Sequence, residues 1–173
     1  MTSRPAQDPE ASPTALLLKL AQAPVASREP CLLRILAELQ PQTVLTAGLA
    51  LYRQGRQEWL LETTAAVLRE FGPAAWHTLL DLCRQAPPEA WAFVGVVAEC
   101  PAIDAQARER AVMLLAAHPA ADVRQQVLEA VAVFDLPAQR RLLSAVRDAS
   151  SDDVRIEAEW RLALLDQAAH GGA

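Results

Sequence analysis

The chain has 173 residues, is 52% hydrophobic but only 5% aromatic, and carries a formal net charge of −5. That length allows one domain or one short array with a sizeable core. Because the apolar content is mainly Ala, Leu and Val, with few glycines, it points to an all-α protein. The acid excess argues against a dedicated nucleic-acid binder, which normally carries a basic footprint, and no apolar run approaches the ~18 residues of a membrane span.

Three cysteines, Cys31, Cys83 and Cys100, lie among apolar neighbours without a Cys-x-x-Cys spacing. They are read as small buried hydrophobes in a reducing compartment. Residues 1–13 lack the basic-then-apolar order of a signal peptide and read as a disordered lead, so a cytoplasmic location is expected.

Thr14 to Ala21 reads as a short leucine-rich helix, an end cap on something larger. Ser27 is placed to cap a helix from Arg28 to Leu39, which stops before Pro41 because a residue preceding proline disfavours the helical region. A second helix is predicted from Gln42 to Tyr52. The next runs from Gln57 to Glu70 and presents Trp59, Thr63, Ala66 and Val67, and Phe71-Gly72-Pro73 breaks it. Ala74 to Gln85 follows, with Leu79, Leu80, Leu82 and Cys83 on its apolar side. After Pro87-Pro88 comes an almost wholly apolar helix from Glu89 to Glu99. Asp104 caps a helix to Ala117, ended by His118-Pro119.

The clearest periodicity lies further on. Asp122-Val123-Arg124 opens a helix whose apolar residues recur at helical spacing through Val131, and Asp153-Val154-Arg155 repeats the pattern. Helices are expected over Ala121–Val133 and Ala138–Asp148. A last one follows a capping-box-like Ser150 and ends near Asp166, before a frayed tail from Gln167. Aligning the first helix of each unit makes Trp59, Ala90, Val123 and Val154 equivalent, at spacings of 31, 33 and 31 residues. A proline falls in each intra-unit turn (Pro41, Pro73, Pro101 and Pro137), which leaves the helix interiors free of it.

These observations predict an α-solenoid: antiparallel hairpins near 28–54, 57–86, 88–117 and 120–148 plus a final helix 152–166, about ten helices in a single domain over 14–167. The Asp-Val-Arg stretches, together with Phe71-Gly72-Pro73-Ala74-Ala75 leading into Leu79-Leu80, resemble HEAT repeats of the short bacterial, PBS-lyase-like kind. The resemblance covers 104–166 best and weakens towards the N-terminus. It implies a right-handed, armadillo-like array with second helices on a concave side, and an Asp/Arg ladder joining Asp122, Arg124, Asp153 and Arg155.

Little in the sequence points to catalysis. The histidines His77, His118 and His170 form no metal-spaced group, and no phosphate loop, nucleophile elbow or zinc motif is present. His118 at a helix end suits the C-terminal dipole. His77 and Asp81 share a helix face, the spacing a general base would use, but no nucleophile accompanies them. The tryptophans Trp59, Trp76, Trp91 and Trp160 fall at or beside core registers. No catalytic residue, metal site or cofactor is expected.

One asymmetry remains. First helices are rich in acids, whereas second helices favour arginine, which with the HEAT resemblance implies a mildly basic groove whose exposed stripe is Arg53, Arg84, Arg108, Arg140 and Arg147. The expected function is a non-enzymatic scaffold or adaptor that binds an acidic segment of another protein on that face. The alternatives are an accessory factor of a lyase-type HEAT protein or a weak nucleic-acid binder. Self-association through the last helix, with Trp160, Leu162, Leu164 and Leu165, is a further possibility.

Overall fold

The computed structural model describes residues 12–150 and 153–170, with side chains through 168. The proposed disordered lead therefore lies almost entirely outside the described residues, as do the last three residues of the proposed tail. Among those described there is helix, turn and coil but no strand, as the composition predicts. The chain separates into two compact units, Met1–Ala75 and Trp76–Ala173.

The first unit holds α1 (Pro13–Gln22), α2 (Val25–Glu38), α3 (Pro41–Gly55) and α4 (Glu58–Phe71), followed by a 3₁₀ turn Gly72–Ala75. Ser12 caps α1 by accepting the Ala15 N–H at 3.2 Å, with Pro13 in the first turn where its missing donor costs nothing. Helix α1 packs against α2, α3 and α4 and buries Leu16, Leu17 and Leu20 among them. Helix α2 begins at Val25, so Ser27 is inside it and does not cap it. Pro30 also lies in its interior, and Ile35 is its one fully buried side chain.

Gly48 of α3 meets α4 closely enough that a Cβ there would fall 2.1 Å from Thr64 Oγ1. Thr64 is buried and donates its hydroxyl to the Leu60 carbonyl, so the contact is both tight and satisfied. Gly72 closes α4 at a positive φ of 55°, a conformation in which a side chain would be strained.

The second unit holds α5 (Trp76–Gln85), a 3₁₀ segment Pro88–Phe93, α6 (Val94–Ala98), α7 (Ala105–Ala116), α8 (Ala121–Ala130), a 3₁₀ turn Val131–Val133, α9 (Leu136–Ala149) and α10 (Asp153–His170). The single apolar helix expected over Glu89–Glu99 is thus a 3₁₀ segment and one short α-helical stretch. Asp104 and Asp135 cap α7 and α9, accepting the Ala107 and Ala138 N–H groups at 2.9 and 2.8 Å. Helix α10 continues through His170 instead of fraying at Gln167.

Packing in this unit is sequential. Helix α7 lies on α5 and α6, α8 on α6 and α7, α9 on α7 and α8, and α10 on α8 and α9. The buried register repeats accordingly. Thr78, Leu79 and Leu82 in α5 recur 33 residues later as Ala111, Val112 and Leu115, and 31 after that as Leu142, Leu143 and Val146. In the alternate helices Ala90 and Val94 correspond to Val123 and Val127 and then to Val154 and Ala158, all buried. The member in α4 is Leu60, not Trp59. Buried Leu60, Leu61, Thr64, Ala65, Val67 and Leu68 match Val123, Arg124, Val127, Leu128, Ala130 and Val131 position for position, whereas Trp59 and Thr63 are half-buried and Ala66 is exposed.

Candidate interaction surface

The five arginines of the predicted stripe divide between the units. Arg53, in the last turn of α3, belongs to the first; it is exposed and engaged in interactions of its own. The other four are in the second, on α5, α7 and α9. Arg84 stays exposed at the end of α5 and pairs with Asp81 at 3.0 Å. Arg140 reaches Asp166 on α10 at 2.8 Å, and Arg147 pairs with the adjacent Asp148 at 2.8 Å.

Arg108 is different. Its Nη1 donates to the Ala98 carbonyl at 2.6 Å, and its Nε is buried without a hydrogen-bond partner. The side chain fastens the start of α7 to the end of α6. Its charge also partly offsets the burial that pushes the nearby Cys100 thiol up.

The electrostatic setting runs against a strongly basic face. Residues 76–173 hold nine arginines and fourteen carboxylates, so this unit carries the whole net charge of −5, while residues 1–75 balance. Arg84, Arg140 and Arg147 are local cations in an acidic unit, each with a carboxylate beside it.

Sequence reasoning missed a set of bridges spanning one repeat. Arg141 on α9 grips Glu109 on α7 with two bonds, Nε to Oε1 at 2.6 Å and Nη2 to Oε2 at 2.9 Å. Arg161 on α10 donates to Glu129 at 3.1 Å and to the Leu128 carbonyl on α8, while also holding Glu157. His118, instead of merely facing a helix dipole, is buried. Its Nδ1 accepts the Ala120 N–H at 3.0 Å, which leaves Nε2 to donate to the Ala86 carbonyl at 2.8 Å. The Glu109–Arg141, Glu129–Arg161 and Ala86–His118 pairs are each 32 residues apart. The only sequence signal for them was the repeat period itself.

Of the expected ladder, Arg124 turns inward to Ser150 and the His118 and Pro119 carbonyls, and Arg155 pairs with Glu159 on its own helix at 2.9 Å.

The cysteines behave largely as read. Cys83 and Cys100 are buried and Cys31 is half-buried, and burial pushes the Cys83 thiol up to about 12. Among the described residues no group of His, Cys, Asp or Glu could hold a metal ion, and no helix is long and apolar enough to cross a membrane. A cleft of about 210 Å³ between α1, α2 and α4 is walled by Leu20, Leu32 and Val67 and holds none of the predicted site residues.

The largest departure concerns Trp160. It is 60% exposed on α10, in line with Ile156 at 64% and Leu164 at 43%, whereas Leu162 and Leu165 are half-buried. The other three tryptophans are all half-buried. Set against protein-family models, curated proteins and solved structures, the chain matches none.

Proposed function

We propose that this chain is a non-enzymatic protein–protein interaction module, a HEAT-like α-solenoid whose repeats act as a preformed surface for a segment of another protein. The observation that carries the reading is the set of bridges 32 residues apart in the second unit, coinciding with the recurrence of its buried register. Each repeat there is fastened to the next by both packing and polar contacts, the organisation of a stacked array. Such an array presents side chains from successive helices at little ordering cost on binding. Right-handedness and the concave placement of second helices belong to this proposal through the HEAT resemblance.

The partner-facing residues are Arg84, Arg140 and Arg147. Their exposed pairs are worth at most ~1 kcal/mol each, so an incoming carboxylate can take over the guanidinium cheaply. Arg108 supports this face through its backbone contact, and Arg53 is left to the first unit. The acid excess of the second unit disfavours nucleic acid as partner.

The test is a pull-down comparing wild type with the Arg84→Glu/Arg140→Glu/Arg147→Glu variant, both shown equally helical by circular dichroism. A protein retained by the wild type, released by moderate salt and absent with the variant supports the proposal. Identical recovery from both would reject the arginine face.

A further inference from the structure

The buried register of α5, α7 and α9 fixes which of their outer positions stand side by side. Leu79, Val112 and Leu143 are equivalent core residues of the three helices, and two positions before them lie His77, Arg110 and Arg141. All three are exposed. Because α7 packs on both α5 and α9, they form one row across successive helices, spaced at the about 8–10 Å that separates packed helix axes.

The middle member differs from every other arginine of its unit. Of the nine in residues 76–173, eight already hold a carboxylate, a hydroxyl or a carbonyl. Arg110 makes no hydrogen bond or ion pair among the described residues. An incoming carboxylate can therefore take its guanidinium without displacing a contact. Arg141 gives Nε and Nη2 to Glu109 and keeps Nη1, and His77 adds a ring nitrogen at the other end of the row. Beside the row the surface turns apolar: Leu80 and Met113, three positions after His77 and Arg110, are half-buried, and Leu114 is 47% exposed.

We propose that the row His77, Arg110 and Arg141 takes an extended, polyproline-II segment of a partner protein that carries a carboxylate at every third residue. Such a segment has three residues per turn and rises about 9 Å per turn, so every third side chain returns to one face at the spacing of the helices. A β-strand, with its period of two, would turn every third residue to the opposite face, and an α-helix advances only about 5 Å per turn. The central carboxylate pairs with Arg110 and the outer two with Arg141 and His77, while the intervening prolines lie on Leu80, Met113 and Leu114. The inference rests on the reading of the chain as an interaction module, but not on Arg84, Arg140 or Arg147. Arg140 and Arg147 stand about 100° and 120° round α9 from Arg141, which allows the two sets to be tested separately.

Fluorescence anisotropy of the full chain at low ionic strength compares two labelled nonapeptides of one composition. In the first, Glu-Pro-Pro is repeated three times; in the second, the three glutamates stand together ahead of the six prolines. Long-range attraction acts on both alike, so the row is read in the ratio of their affinities. The periodic peptide should bind about fivefold more tightly, the worth of one or two exposed charge pairs kept in register. Arg110→Met should bring the ratio close to one, with thermal unfolding unchanged because the side chain holds nothing in the fold. Arg140→Met/Arg147→Met should leave the ratio as it is.

Equal affinity for the two peptides, binding of neither, or a preference indifferent to Arg110→Met overturns the inference. If both peptides bind equally and are lost only with Arg140→Met/Arg147→Met, the inference falls and the arginine face stands. A preference that needs Arg110, found beside a pull-down indifferent to the Arg84, Arg140 and Arg147 reversals, upholds the row and rejects that face.

Discussion

Arg124 on α8, only 5% exposed, donates from Nε to Ser150 Oγ at 2.7 Å and from Nη1 to the His118 and Pro119 carbonyls at 2.7 and 2.8 Å. One guanidinium thus joins the turn entering α8 to the end of α9, with its planar fork directed at acceptors of fixed position. Replacing it with methionine fills similar volume but strands buried acceptors. Arg124→Met should lower unfolding free energy by about 3 kcal/mol in urea titration. Arg124→Lys should recover little of this, since a single ammonium on a flexible stem cannot reproduce the fork.

The Glu109–Arg141 and Asp81–Arg84 pairs are both carboxylate–guanidinium contacts, yet they should differ in worth. The Glu109 side chain is only 11% exposed and is gripped by two bonds, whereas both side chains of the Asp81 pair are more than half exposed and share one. A double-mutant cycle with Glu109→Gln and Arg141→Met should give the larger coupling of the two, because the fork of Arg141, itself 56% exposed, makes two bonds to a carboxylate largely removed from water. The same cycle on Asp81 and Arg84 should fall below about 0.5 kcal/mol and vanish in high salt.

What was legible in the sequence follows from how local each cause is. Asp122 to Val131 declared itself because the buried residues of one helix obey one period, and Val123, Val127, Ala130 and Val131 are all in the core. The copy in α4 slipped by one residue because Trp59-Leu60-Leu61 is apolar throughout and allows two registers. Neighbouring helices choose Leu60 and Leu61. For the arginines, sequence discloses the charge but not the acceptor. Arg141 and Arg161 find theirs one repeat away, and Arg108 spends its charge on a carbonyl. Trp160 misled for a related reason: in a helix apolar on both faces, composition does not say which face the core takes.

In the first unit, the approach of α3 to α4 depends on Gly48 lacking a side chain. A Cβ there would lie 2.1, 2.6 and 2.8 Å from Thr64 Oγ1, Cγ2 and Cβ, so the helices must part or Thr64 must move out of its bond to Leu60. Gly48→Ala should therefore destabilise by about 1–3 kcal/mol despite its better helix propensity. Adding Thr64→Ala removes the two closest atoms but not the third, so the double variant should regain part of the loss. Full additivity in thermal melts would show that the two residues do not meet.

Cys83 supplies the pH dependence. Burial raises its thiol from 9.0 to about 12, so the folded chain holds this proton more tightly than the unfolded chain does. Above pH 9 the unfolded state releases the proton and the folded state does not. The thiol's contribution is thus complete below pH 9 and is lost progressively as pH rises towards 12, by up to ~1.4 kcal/mol per pH unit. Other groups titrate in that range, so the measurement is the difference between wild type and Cys83→Ala in urea midpoint from pH 8 to 11. The wild type should lose its advantage as pH increases. A difference constant with pH would mean that solvent reaches the thiol. The same burial predicts that a thiol reagent at pH 8 modifies the half-buried Cys31 first and reaches Cys83 only on unfolding.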